Sequence, residues 1–125
     1  METAKTILIA DDNKDIVEAT TAILKVVGYE VISTYNGNSV PKIAQTKPDL
    51  ILLDAWIPEI DGRVICKKLK SDPETKNIPV IIFSASTDIR QSVLDSGADD
   101  FLEKPFDMHV LIQKIEKLTA KPLDK

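Results

Sequence analysis

Four short apolar runs each lead into a side chain able to act on phosphorus. Asp11 and Asp12 follow Ile7–Ala10, Asp54 follows Leu50–Leu53, Ser84 follows Val80–Phe83, and Lys104 comes just after Phe101-Leu102. Singly, each has an ordinary role. An aspartate or serine after a strand forms a turn or caps a helix, and Lys-Pro is a surface turn. Together they put three carboxylates, a hydroxyl and an ammonium on one rim. Three close carboxylates repel unless cations offset them, and one divalent metal with one lysine balances their charge. Hard oxygen ligands on a small rim suit Mg²⁺, which keeps several waters and is often completed by a phosphate. A carboxylate beside Mg²⁺ is a nucleophile toward phosphorus, and the product is an aspartyl phosphate. The metal, Lys104 and the Ser84 hydroxyl would then hold the phosphoryl oxygens as charge develops.

The elements that must position these groups follow from periodicity. The four runs, with Val31-Ile32, are short, bulky or β-branched, and several lack alternation. Such runs suit strands buried on both faces of a parallel sheet. The intervening segments read as five helices. Asn13 caps the first, with Ile16, Ala19, Ile23, Val26 and Val27 as its apolar stripe and Gly28 as its stop. Ser39 caps a short second helix with Pro41 in its first turn, ending before Pro48. Asp61-Gly62 leads into a third through Val64, Ile65 and Leu69, broken at Asp72-Pro73. Thr87 caps a fourth carrying Ile89, Val93 and Leu94, which ends near Gly97. Asp107 caps a fifth, where Met108, Leu111, Ile112, Ile115 and Leu118 keep helical spacing. Alternating strands and helices imply an α/β fold, an open five-stranded parallel sheet with helices on both faces. Ligands of such sheets bind outside the carboxyl ends of the strands, where the chemical groups lie.

Composition bounds the alternatives. The 125 residues form a single domain able to bury its own core. The net charge of −4 offers no general attraction to nucleic acid or an anionic membrane. Cys66, the one cysteine, has no disulfide partner, and His109, the one histidine, leaves no zinc cluster. No apolar run approaches the ~20 residues of a membrane span, and the N-terminus lacks a signal-peptide core. A cytoplasmic protein without membrane insertion is expected. His109 reads as a solvated residue near the start of the last helix, and Cys66 as a packing or partly exposed thiol.

The motifs Asp11-Asp12, Asp54-Ala-Trp-Ile-Pro-Glu-Ile-Asp-Gly62, Ser84-Ala85 and Lys104-Pro105-Phe106 resemble those of the receiver domain of two-component response regulators, in the single-domain style of chemotaxis regulators. The resemblance runs from about Thr6 to Leu118. It implies a flavodoxin-like (βα)5 fold with strand order 2-1-3-4-5, and one receiver domain over 1–125 (core about 6–119) with no output domain. It implies Asp54 as phosphoacceptor. Asp11, Asp12, Asp54 and the Trp56 backbone carbonyl would bind Mg²⁺, Asp12 directly and Asp11 mainly through water. Ser84 would move onto the phosphoryl group, and Lys104, before a cis Pro105, would pair with it. Phe101 would turn inward on phosphorylation. The implied donor is a phosphohistidine on a histidine kinase or histidine phosphotransfer protein. The implied reader is a downstream protein docking on the fourth helix, fifth strand and fifth helix, with no direct nucleic-acid contact.

Three rival readings remain at this point. A nucleotide- or flavin-binding domain needs a glycine-rich first turn, and Asp11-Asp12-Asn13-Lys14 offers acid instead. A metal-dependent phosphatase would need an efficient base for water. A degenerate receiver acting only as a binding module would not need the complete set of acids, hydroxyl and lysine.

Overall fold

The computed structural model describes residues 4–57, 60–86 and 88–119. Five parallel strands form one sheet: β1 (Thr6–Ala10), β2 (Glu30–Thr34), β3 (Leu50–Asp54), β4 (Val80–Ser84) and β5 (Asp100–Glu103). Their order across the sheet is β2-β1-β3-β4-β5, as the family resemblance implies. Helices α1 (Lys14–Val27), α2 (Val40–Ala44), α3 (Gly62–Ser71), α4 (Arg90–Asp95) and α5 (Met108–Thr119) connect and cover them. Every residue of β3 and of β4 is buried. That explains their unbroken apolar runs, since both faces carry a core.

The two cores are separate. Leu8, Ile51, Leu53 and Ile82 pack on one face with Ile65, Leu69, Val93 and Phe101. Ile7, Ile9, Leu52 and Phe83 pack on the other with Val17, Leu24, Leu111 and Ile115. Burying each large aliphatic side chain contributes about 1.5–3 kcal/mol.

Asn13 accepts from Ile16 N–H at 3.2 Å, Gly28 closes α1 in the left-handed region at φ +120, and Asp107 accepts from His109 N–H at 2.7 Å. These caps agree with the sequence. Others do not. Ser39 makes no side-chain cap; Asn36 instead caps a single 3₁₀ turn, Gly37–Ser39, that runs into α2. Residue 87 lies outside the described residues, so the Thr87 cap cannot be placed, and α4 begins at Arg90 with no side-chain bond at its N-cap. The stripe on α1 is also different. Its buried residues are Val17, Thr20 and Leu24, while Val26 is 87% exposed. The buried face runs one position on from the expected Ile16, Ala19 and Ile23. One residue is a rotation of about 100° around the helix, so Ile23 and Val26 face outward. Val64 on α3 is exposed because the buried face of that helix runs through Gly62, Ile65, Cys66 and Leu69.

At the amino ends of the strands, aspartates serve the backbone. Asp49 Oδ2 accepts Thr6 N–H at 2.7 Å, and Asp99 Oδ2 accepts Val80 N–H at 2.8 Å. Lys70 Nζ reaches Asp99 Oδ2 at 2.9 Å and the Ile78 carbonyl at 2.8 Å, fastening α3 to this end of the sheet.

Candidate phosphoacceptor site

Strand register brings the acids together. Ala10 on β1 sits beside Leu53 on β3, so the next residues, Asp11 and Asp54, leave adjacent strands at one level. Asp54 in turn pairs with Phe83 and Ser84 with Glu103. Lys104 therefore lies beyond that level, and its long side chain reaches back. Its Nζ is 2.9 Å from Asp11 Oδ2 and 3.5 Å from Asp54 Oδ1. Phe83 lies beneath the ammonium, 4.9 Å from ring centre to Nζ, and meets Phe106 edge-on. The Lys104–Pro105 peptide bond is cis.

One carboxylate oxygen from each of Asp11, Asp12 and Asp54 lies within 4.8 Å of the others. Asp11 and Asp54 are buried, whereas Asp12 is exposed. Burial, together with the Asp11 charge, pushes the Asp54 carboxyl up from 3.8 to about 6; Lys104 and the Trp56 N–H oppose this. Two buried acids held together against that cost fit a divalent cation. Their donors are hard carboxylate oxygens, the set that Mg²⁺ or Ca²⁺ takes.

Ser84 is fully buried at the end of β4, and its Oγ accepts from Ser86 N–H at 3.0 Å. Phe101 is 3% exposed, with the Arg90 guanidinium 5.7 Å from its ring. Trp56 follows β3 in a short antiparallel pair, Trp56–Ile57 with Ile60–Asp61. Its N–H donates to Asp54 Oδ1 at 3.4 Å, while its side chain is half exposed. His109 is exposed and Cys66 is buried, where burial raises the thiol's pKa.

Two residues shape the site in ways the sequence does not show: Gly62, which it marks only as a helix start and the end of a motif, and Arg63, which it does not single out. A Cβ on Gly62 would stand 2.2 Å from the Asp54 carbonyl oxygen, so α3 starts against the β3 end only because residue 62 has no side chain. Arg63 forks onto the Asp61 carboxylate and lies over the Trp56 ring, 4.6 Å from its centre. Glycine at a helix start is unremarkable as a letter, and an Asp-x-Arg spacing says nothing of an indole seven residues back.

Beside Lys104, an apolar groove of about 380 Å³ opens between α1 and the turn into α5, lined by Ile16, Ala19, Ile23, Phe106 and Met108.

Residues 7–116 match the response regulator receiver domain family. The chain belongs to that family. It is 37% identical over 115 residues to the DNA-binding dual master transcriptional regulator RpaA of Synechocystis, covering 90% of this chain and 48% of that protein. It is 40% identical over 116 residues to the response regulator PleD of Caulobacter vibrioides, covering 90% of this chain and 26% of that protein. This receiver domain thus spans about half or less of the curated relatives it matches. Among solved structures, a response regulator from Chloroflexus aurantiacus superposes with TM-score 0.89 at 28% identity, over 95% of this chain and all of that one. The receiver domain of a histidine kinase from Syntrophus aciditrophicus gives TM-score 0.86 at 34% identity, over 98% of this chain and 96% of that one. No described helix of the receiver domain is long and apolar enough to cross a membrane.

Proposed function

We propose that this receiver domain takes a phosphoryl group from a phosphohistidine onto Asp54 and signals by the change in conformation that follows. What supports the reading above all is the buried Asp54 carboxylate, set beside Asp11 and 3.5 Å from the Lys104 ammonium. An Asp54 oxygen attacks phosphorus, the phosphorus–nitrogen bond of the donor breaks, and the imidazole leaves with its bonding pair. Asp11, Asp12, Asp54 and the Trp56 carbonyl would hold the metal. Bound Mg²⁺ supplies positive charge against the phosphoryl oxygens. Lys104 adds a second cation there as a point charge, and the Ser84 hydroxyl donates to a phosphoryl oxygen. The domain in this way assists its own phosphorylation and dephosphorylation.

The donor is a histidine kinase or histidine phosphotransfer protein, and the groove beside Lys104 fits an apolar helix that carries such a histidine. A phosphoryl group shifts a conformational balance only by its differential interaction with the two states, and Ser84 and Phe101 are the residues that couple it. The reader docks on α4, β5 and α5. The receiver fold, with its core at about 6–119, works in the cytoplasm, and its change of conformation is passed on by docking or by onward phosphotransfer.

Acetyl phosphate with Mg²⁺ tests this. Wild type gains the mass of one phosphoryl group and Asp54→Asn gains none. An unmodified wild type, or a labelled Asp54→Asn, refutes the assignment.

A further inference from the structure

Arg63 belongs to no motif that the phosphoacceptor reading uses, yet every nitrogen of its head has a partner. Nε donates to Asp61 Oδ1 at 3.0 Å, and Nη2 to Asp61 Oδ2. Nη1 donates to Ser92 Oγ at 2.8 Å on α4. The planar guanidinium also lies over the Trp56 ring. Trp56 and Asp61 are paired across the short antiparallel hairpin, so their side chains share one face of it. Arg63 clips both to that face.

The hairpin is joined to the chemistry through Trp56, whose N–H meets Asp54 Oδ1. It is joined to α4 through Ser92, whose hydroxyl donates to the Ile89 carbonyl at 2.8 Å in the turn that starts the helix. The two joints differ in strength. The contact with Asp61 is a charge-assisted fork and holds Asp61 below the usual carboxylate range. The contact with Ser92 is a single bond to a neutral oxygen. If α4 shifts, the Ser92 bond breaks first, and the guanidinium, still forked to Asp61 but without its third anchor, holds the ring less firmly.

We propose that Arg63 is a positioning residue. It holds the Trp56 indole still on the hairpin beside Asp54, and through Ser92 it makes the phosphoryl lifetime on Asp54 sensitive to the position of α4. The lifetime part rests on Asp54 being the phosphoacceptor; the clip itself does not. Asp54 is only 5% exposed, so attacking water reaches it through a narrow opening. A large ring two residues away sets how wide that opening stays.

The experiment is a cycle of Arg63→Ala and Trp56→Ala, singly and together, with Arg63→Lys and Ser92→Ala beside them. Each protein is loaded with acetyl phosphate, the donor is removed, and loss of the phosphoryl group is followed at fixed Mg²⁺. Tryptophan emission is recorded on the unphosphorylated proteins.

Arg63→Ala should change the emission and speed phosphoryl loss about two- to fivefold, the factor that a surface cation–π contact is worth. It should add nothing in the Trp56→Ala background. Arg63→Lys, which keeps the charge but not the planar fork, should fall between wild type and Arg63→Ala. Ser92→Ala should speed loss less than Arg63→Ala and leave the emission near wild type, because the Asp61 fork persists. Multiplicative effects of Arg63→Ala and Trp56→Ala would overturn the positioning role, as would full rescue by Arg63→Lys. A Ser92→Ala decay equal to wild type would overturn the link to α4. An unlabelled wild type would refute the phosphoacceptor reading and the lifetime claim together, while the emission change still reads the clip alone.

Discussion

The ammonium of Lys104 is bonded to Asp11, at 2.9 Å, more closely than to Asp54, at 3.5 Å. The cation therefore braces the buried acid that is not the proposed nucleophile. Asp54 Oδ1 receives the weaker share of that charge and keeps its reactivity.

Removing the brace should cost stability first. Lys104→Ala leaves two buried carboxylates without their cation, and breaking a buried pair costs about 3 kcal/mol. Urea denaturation at pH 8 without Mg²⁺ should show a loss of that order, and millimolar Mg²⁺ should restore part of it. Lys104→Ala should still accept a phosphoryl group from acetyl phosphate, because Asp54 and the other acids remain. An equal loss with and without Mg²⁺ would separate the lysine from the acid cluster.

The raised Asp54 pKa sets a pH dependence with a definite sign. The folded protein holds this proton more tightly than the unfolded chain, about 6 against 3.8. Asp54 thus adds stability below about pH 4 and loses that contribution as pH rises through about 6. Mg²⁺ competes with the same proton, so its apparent affinity should fall up to about tenfold per pH unit below about pH 6 and level off above pH ~7. Calorimetry across that range checks it. In Asp54→Asn the slope should shrink, and an unchanged slope would assign the titration to another acid. Asp12→Ala should weaken Mg²⁺ throughout by removing an oxygen ligand.

Gly62→Ala should be among the most damaging one-carbon changes available. Its Cβ would have to displace the Asp54 carbonyl, which is backbone and does not swing aside. Overpacking of this kind costs about 1–3 kcal/mol. The displaced carbonyl belongs to the proposed acceptor, so labelling by acetyl phosphate should slow even at temperatures where the variant is fully folded. A folded Gly62→Ala with wild-type labelling would show that the β3 end tolerates the shift.

Trp56→Ala should shorten the phosphoryl lifetime without abolishing phosphorylation, since the indole narrows the approach of in-line water and Ser86, small and two residues after Ser84, adds no charged group. The indole's emission should respond to Mg²⁺ because the backbone N–H of the same residue bonds Asp54 Oδ1, so a cation at Asp54 shifts the loop that carries the ring. Equal decay rates and a silent tryptophan would leave only the backbone of residue 56 in the chemistry.

The sheet and its acid rim were legible in sequence because both follow from short-range pattern. Runs such as Leu50–Leu53 announce a strand buried on both faces, and the residue after each strand falls on the ligand edge of the sheet. The cis peptide before Pro105 came through the family resemblance. What escaped depends on three-dimensional approach. Val26 fits an apolar stripe as a letter, but the face of α1 that is buried runs through Val17, Thr20 and Leu24, one residue out of step with that stripe. Asn36 rather than Ser39 caps the entry to α2, because a 3₁₀ turn intervenes that no periodicity signals. Gly62 and Arg63 matter through the Asp54 carbonyl and the Trp56 ring, distances that no spacing in the chain encodes.

Asp49 and Asp99 turn their carboxylates on strand amides at one end of the sheet, and Lys70 rivets Asp99 to α3. Asp11 and Asp54 sit at the opposite end, where their carboxylates accept the amides of Asn13 and Trp56, beyond the strands of the main sheet. The sheet is thus built like a cantilever, clamped at its amino ends and loaded at its carboxyl ends. On that build the rim that holds the charge should be the end of the sheet that gives most. Amide exchange should grade accordingly along β4, slowest at Val80 and fastest near Ser84, giving the lever a measurable stiffness.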